Sequence, residues 1–118
     1  MRLSFVENPV FMNQIDRLGK PLSDEVLSAI ENDLLNDPER GNIIQGTSGA
    51  RKARIADPVR QKGKRGGFRY IYVYFQAFSR IYLILFYGKD VKDDLSKAEK
   101  KIIADSIKRT KETLKRGK

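Results

Sequence analysis

FRYIYVYF (Phe68–Phe75) and RIYLILFY (Arg80–Tyr87), separated only by QAFS (Gln76–Ser79), decide how this chain folds. Both runs are dense in aromatic and β-branched residues, which favour strands. A connection this short makes them an antiparallel pair. Upstream, Ala50–Ala56 alternates, with Arg51, Ala53 and Ile55 on one face and Lys52 and Arg54 on the other. The two-residue period sets Lys52 and Arg54 side by side, about 7 Å apart at Cα. Asp57–Gly67 then reads as a hairpin loop too charged to pack.

Further out, Arg2–Glu7 reads as a first strand, with Leu3 and Phe5 on one face. Asn8-Pro9 starts a helix: asparagine caps it, and proline occupies the first turn, where its missing N–H costs nothing. Phe11, Ile15 and Leu18 follow at helical spacing until Gly19-Lys20-Pro21 stops the run. A second helix is expected after Ser23 as its cap, with Asp24 and Glu25 at the positive end of its dipole. Val26, Leu27, Ile30 and Leu34 form its apolar face, and Asn36-Asp37-Pro38 ends it, leaving Glu39–Ala50 as a loop. Near the C-terminus, Ser96-Lys97-Ala98-Glu99 is a capping box. The helix it opens carries Ile103, Ile107 and Leu114 in one stripe, widened by Ala98 and Ile102, and Lys115–Lys118 reads as a flexible basic tail. The order β-α-α-β-β-β-α predicts one small α+β domain over residues 1–118, with helices covering one face of an antiparallel sheet.

At 118 residues, 40% hydrophobic and 33% charged, the chain fits one folded domain. Its apolar runs fall far short of the ~20 residues of a membrane helix. The N-terminal MRLSFVENPVF lacks a signal peptide's apolar region, so a cytoplasmic protein with no membrane partner is expected. There is no cysteine and no histidine. That excludes disulfides, thiolate catalysis, zinc sites built on Cys or His, and nucleases using a histidine acid–base pair. No metal and no cofactor is expected.

Charge is concentrated in Gly46–Arg69, where eight cations face the single acid Asp57, giving +7 of the whole chain's +9. The cations are Arg51, Lys52, Arg54, Arg60, Lys62, Lys64, Arg65 and Arg69. An excess so localised points to a polyanionic partner; the plainer reading is a solvated basic loop. If the three strands 50–56, 68–75 and 80–87 are neighbours, Lys52 and Arg54, Arg69, and Lys89 just past the last strand converge. A lysine crowded by cations gives up its proton more readily, which suits a general base. Arginines stay charged and hold phosphate oxygens. Such a set can promote attack of a ribose 2′-hydroxyl on its own phosphate without a metal, and DNA would resist it. Five tyrosines and six phenylalanines supply candidates for stacking on RNA bases, Tyr70, Tyr72 and Tyr74 among them on one strand face. Core packing is the commoner reason for such a stripe.

Asp37-Pro38, then GTSGARKAR (46–54), GKRGGFRYIY (63–72) and LFYGK (85–89), together resemble the HigB branch of the RelE toxins of bacterial type II toxin–antitoxin systems. The likeness extends over nearly the whole chain. It implies a ribosome-dependent mRNA endonuclease that cuts in the A site and inhibits translation. It places the general base at Lys52 and phosphate or transition-state contacts at Arg54, Arg69 and Lys89. Arg51, Arg60, Lys62, Lys64, Arg65 and Lys92 become candidate contacts to mRNA or ribosomal RNA. The tyrosine that some RelE members carry after the last segment is missing, since Leu95 and Ser96 stand nearby, so the proton donor to the leaving oxygen is unassigned. The resemblance also implies a cognate antitoxin, often of helix-turn-helix type and able to bring operator DNA into the complex. Two other classes compete: a ParE-like toxin that binds DNA gyrase without nuclease activity, and a non-catalytic RNA-binding module.

Overall fold

The computed structural model describes residues 2–59, 67–88 and 94–117. Along the chain run β1 (Ser4–Glu7), α1 (Pro9–Asp16), α2 (Leu22–Asn36), β2 (Asn42–Ile43), β3 (Arg51–Ile55), β4 (Phe68–Phe75), β5 (Arg80–Gly88) and α3 (Lys97–Arg116). A 3-10 turn, Gln76–Phe78, joins β4 to β5, with Ser79 in the left-handed region at φ 49°. The sheet order is β1-β5-β4-β3-β2. Among the described residues no helix is long and apolar enough to cross a membrane.

The sheet is mixed rather than antiparallel. β2, β3, β4 and β5 pair antiparallel in sequence order, but β1 lies parallel to β5, with Phe5 opposite Ile81 and Glu7 opposite Leu83. Nearness in sequence predicts antiparallel pairing only for strands joined by short loops. Here β1 and β5 are separated by most of the chain. The two-residue β2 arises inside the stretch read as a loop, where Asn42 faces Lys52 and Ile43 faces Arg51.

Helices cover both faces, not one. Phe11, Ile15, Val26, Ile30 and Leu34 of α1 and α2 pack on Ala53, Ile55, Tyr70, Tyr72, Ile81, Leu83 and Phe86. On the opposite face, Ile103 and Ile107 of α3 pack on Ala50, Ile71, Val73 and Phe75. The cause is visible in β4, which has an apolar or aromatic residue at almost every position rather than alternate ones, the pattern of a strand buried on both sides. A register shift between Ile71 and Tyr72 leaves Ile84 as an extra residue, so Ile84 and Leu85 both join the α3 side.

The helix ends follow local chemistry with two departures. Asn8 Oδ1 accepts from Val10 N at 2.7 Å, with Pro9 in the first turn, as expected. α2 starts one residue before Ser23, which is buried within its first turn; Pro21 stands at the cap position without a side-chain cap. α3 opens with the full capping box: Glu99 N donates to Ser96 Oγ at 3.1 Å, and Ser96 N donates to Glu99 Oε1 at 2.7 Å. Its buried stripe is Ile103, Ala104 and Ile107, whereas Ile102 is 68% exposed and Ala98 is exposed. Ile102 lies about 100° around the helix from Ile103, which turns it off the packed side. The helix continues through Lys115 and Arg116, so those two cations belong to its last turn. Lys118 lies outside the described residues.

Candidate active site

β3 and β4 pair with Lys52 opposite Ile71 and Arg54 opposite Arg69. Residues opposite one another share a face, and Ile71 belongs to the α3 side. Lys52, Arg54 and Arg69 therefore stand on that face, brought together from positions up to 17 apart in sequence. β5 continues the row: Arg69 is opposite Tyr87, and Ile71 is opposite Leu85. Tyr87 was not among the residues singled out from sequence. Counting back along the hairpin from its turn would set Phe86 opposite Arg69, and the register shift at Ile71/Tyr72 puts Tyr87 there instead. Arg69 is buried at 8% exposure while Arg54, opposite it, is exposed.

Two hollows meet at Lys52. One, about 330 Å³, is lined by Arg40, Asn42, Lys52, Ala53 and Arg54 at the sheet edge where β2 begins. The other, about 340 Å³, is lined by Ile44, Lys52, Ile71, Asp94, Leu95 and Lys100 under the start of α3. Beside Lys100 of the second, the Gly46–Gly49 loop is drawn tight. Thr47, fully buried, donates from Oγ1 to Ile44 O at 2.6 Å and accepts there from Ala50 N at 3.1 Å. Gly46 at φ 83° and Gly49 at φ 110° take the backbone conformations that such a loop requires and that side chains disfavour.

Arg51 is turned to the other face, opposite Tyr72. Its Nη1 donates to Gly41 O at 2.8 Å and Glu39 O at 3.0 Å, and its Nη2 lies 3.7 Å from Glu39 Oε2. It holds the loop outside β3 and does not join Lys52 and Arg54. Arg40 works beside it, with Nη1 2.7 Å from Asp33 Oδ2 and 3.5 Å from Arg54 O. Lys89 and Lys92, and Arg60, Lys62, Lys64 and Arg65, lie outside the described residues. On either side of residues 60–66, Asp57 and Gly67 are buried, and Asp57 Oδ1 accepts from Val59 N at 3.0 Å.

Tyr70 and Tyr72 are fully buried under α1 and α2, so neither can stack on a base. Burial pushes the Tyr70 hydroxyl up to about 12, against the opposing pull of the Arg40 hydrogen bond. Burial raises Tyr72 as well, against its backbone hydrogen bond from Gly41. Both stay neutral and serve as polar ties. Tyr72 OH donates to Pro38 O at 2.9 Å and accepts from Gly41 N at 3.0 Å. Tyr72→Phe removes both bonds and orphans the buried Gly41 N–H, so it is expected to cost about 1–3 kcal/mol. A lower urea midpoint at unchanged slope would record that loss.

No protein-family model matches the chain. Among solved structures it is similar to the isolated E. coli RelE toxin, with a TM-score of 0.55 and 14% identity, over 92% of this chain and 99% of that one. It is also similar to a double arginine-to-alanine mutant of E. coli RelE in the free state, with a TM-score of 0.54 and 15% identity, over 76% and 86% of the two chains. At such identity the likeness is one of fold. The chain has a RelE-like α+β fold: two N-terminal helices, a five-stranded mixed sheet and a C-terminal helix.

Proposed function

We propose that this chain is a HigB-like toxin of a type II toxin–antitoxin pair, a single cytoplasmic domain that cleaves mRNA in the ribosomal A site. The observation that carries the reading is the β3–β4 register, with Arg54 opposite Arg69 and Lys52 two residues along on the same face. The RelE-like fold supports it. In this mechanism Lys52 takes the proton from a ribose 2′-hydroxyl. The freed oxygen attacks the adjacent phosphorus, the bond to the 5′-oxygen breaks, and that oxygen leaves as a hydroxyl after protonation. The products are a 2′,3′-cyclic phosphate and a 5′-hydroxyl end. Arg54, Arg69 and Lys89 stabilise the negative charge gathering on the phosphoryl oxygens, the largest single source of rate in sites of this kind. Arg60, Lys62, Lys64, Arg65 and Lys92 contact ribosomal RNA or mRNA. An antitoxin with acidic residues covers the basic face, and a helix-turn-helix domain on it links the pair to operator DNA.

Brief induction in bacteria, followed by mapping of mRNA 5′ ends, tests this. Cuts inside translated frames with 5′-hydroxyl termini are expected. Intact mRNA with arrested growth and accumulated cleaved DNA would overturn the reading in favour of a gyrase-binding toxin. Salt-dependent RNA binding without turnover would favour a non-catalytic RNA module.

The role of Lys52 has its own test, because arginine keeps the charge but cannot act as a base at ordinary pH. Lys52→Arg is expected to lower single-turnover cleavage about 100-fold or more, the range that a general base contributes, with ribosome binding retained. Near-normal cleavage would make Lys52 an electrostatic contact only.

A further inference from the structure

We infer that Lys100, from the first turn of α3, is a phosphate-binding residue that extends the RNA path past Lys52 into the hollow beneath that helix. The inference rests on the nuclease reading above and deepens it. The capping box fixes the first turn of α3, and Lys100 N closes the turn onto Ser96 O at 2.9 Å. Lys100 thereby faces the sheet and lines the same hollow as Lys52, with Asp94 and Leu95. Its stem runs beside the tight loop: a Cβ added at Gly46 would lie 3.7 Å from Lys100 Cδ.

The other cations of α3 (Lys97, Lys101, Lys108, Arg109, Lys111, Lys115 and Arg116) are all exposed, and Lys100 alone is half-buried. A lysine loses rotamer freedom and hydration when its stem is confined. A partner anion in the hollow offsets that cost. The hollow at the sheet edge carries Arg40 and Arg54, and Lys52 lines both hollows. A single strand whose scissile phosphate sits at Arg54 and Arg69 would run past Lys52 and set a neighbouring phosphate at Lys100. Phosphate contacts of this kind position a substrate without reading its sequence.

The neighbouring Lys101 provides the control. It has the same charge, is 78% exposed at its side chain, and lies 3.6 Å from Asp105 across one helical turn. The measurement uses the full chain and a short single-stranded RNA carrying 2′-deoxyribose at its cleavable positions, so that it binds without being cut. Affinity is read across a salt series for wild type, Lys100→Ala, Lys100→Arg and Lys101→Ala, with melting temperatures alongside. Lys100→Ala is expected to weaken binding about tenfold, the loss of one hydrogen bond to a charged group. It should also reduce the salt slope by about 0.7, the value for one phosphate on a single strand. Lys100→Arg should keep most of the affinity, and Lys101→Ala should stay close to wild type.

On programmed ribosomes with cleavable mRNA, Lys100→Ala should raise KM with kcat retained, as removal of uniform binding does. If Lys100→Ala matches Lys101→Ala, or weakens binding without changing the salt slope, the inference is overturned while the nuclease reading stands. If the wild type cuts no mRNA on programmed ribosomes, the nuclease reading fails first and takes the inference with it.

Discussion

Arg69→Ala is expected to lower cleavage of ribosome-bound mRNA by about 100- to 1000-fold, the range for losing one preorganised charge-stabilising group. Arg69 differs from Lys52 and Arg54 in being buried, at 8% exposure, near the start of the central strand. It has Arg54 opposite on one side and Tyr87 opposite on the other. A buried guanidinium reorganises little when charge develops on a phosphate, and in a partly desolvated place its interaction is strong. Arg54 is exposed and more fully screened, so its loss should cost less. The order of effects, Arg69→Ala greater than Arg54→Ala, is itself a test. Because Arg69 is buried, its removal also disturbs packing, and two controls separate the causes. Arg69→Lys keeps the charge and loses only the planar two-pronged geometry, so intermediate activity is expected. Thermal melting of each variant shows whether it is folded at the assay temperature. Single-turnover cleavage on programmed ribosomes is the readout. Cleavage by Arg69→Ala within a few-fold of wild type would remove Arg69 from the chemistry.

Much of this placement is legible in the sequence, through strand periodicity. Lys52 and Arg54 alternate with Ala53 and Ile55, so the two cations had to share a face whatever the rest of the fold. The β4–β5 hairpin is equally plain from composition. What sequence conceals depends on partners remote along the chain. Nothing in Ser4–Glu7 announces a parallel neighbour at Arg80–Leu83, and the short β2 is a strand through its pairing with Arg51 and Lys52. The continuous apolar character of β4 did hold the clue to two covered faces, but a strand loaded with tyrosine also resembles an RNA-stacking platform. Burial of Tyr70 and Tyr72 decides between the two. Arg51 shows the limit of counting charges. It adds to the excess in Gly46–Arg69, yet alternation turns it away from Lys52 and onto the carbonyls of Glu39 and Gly41. Lys100 shows the converse, since it gains its place only when α3 packs over the sheet.

Gly67→Ala should cause the largest loss of stability from a single methyl group, about 3 kcal/mol, at the upper end of overpacking costs. The reason is space rather than backbone freedom. A Cβ at Gly67 would run into the carbonyl oxygen of Ile55 and come within 2.9 Å of Ala56 Cα and Asp57 N. All three are main-chain atoms at the end of β3, so no side chain can rotate out of the way. Relief requires the ends of β3 and β4 to part, at the place where Ile55 faces Phe68 and Arg54 faces Arg69. Stability and catalysis should therefore fall together: the melting temperature by roughly 10 °C, and cleavage well before global unfolding, as Arg69 shifts relative to Arg54. Gly88 on β5 is the matched control. It stands opposite Phe68 from the other side, and a Cβ there would meet nothing within 4 Å. Gly88→Ala is accordingly expected to change stability by less than about 0.5 kcal/mol. Two glycines flanking one residue of the central strand would then differ severalfold in their tolerance of a methyl group. If Gly67→Ala instead melts like Gly88→Ala, the close approach of the two strands is not what the second glycine of the GGFR run provides, and the tight Arg54–Arg69 pairing loses its main physical support.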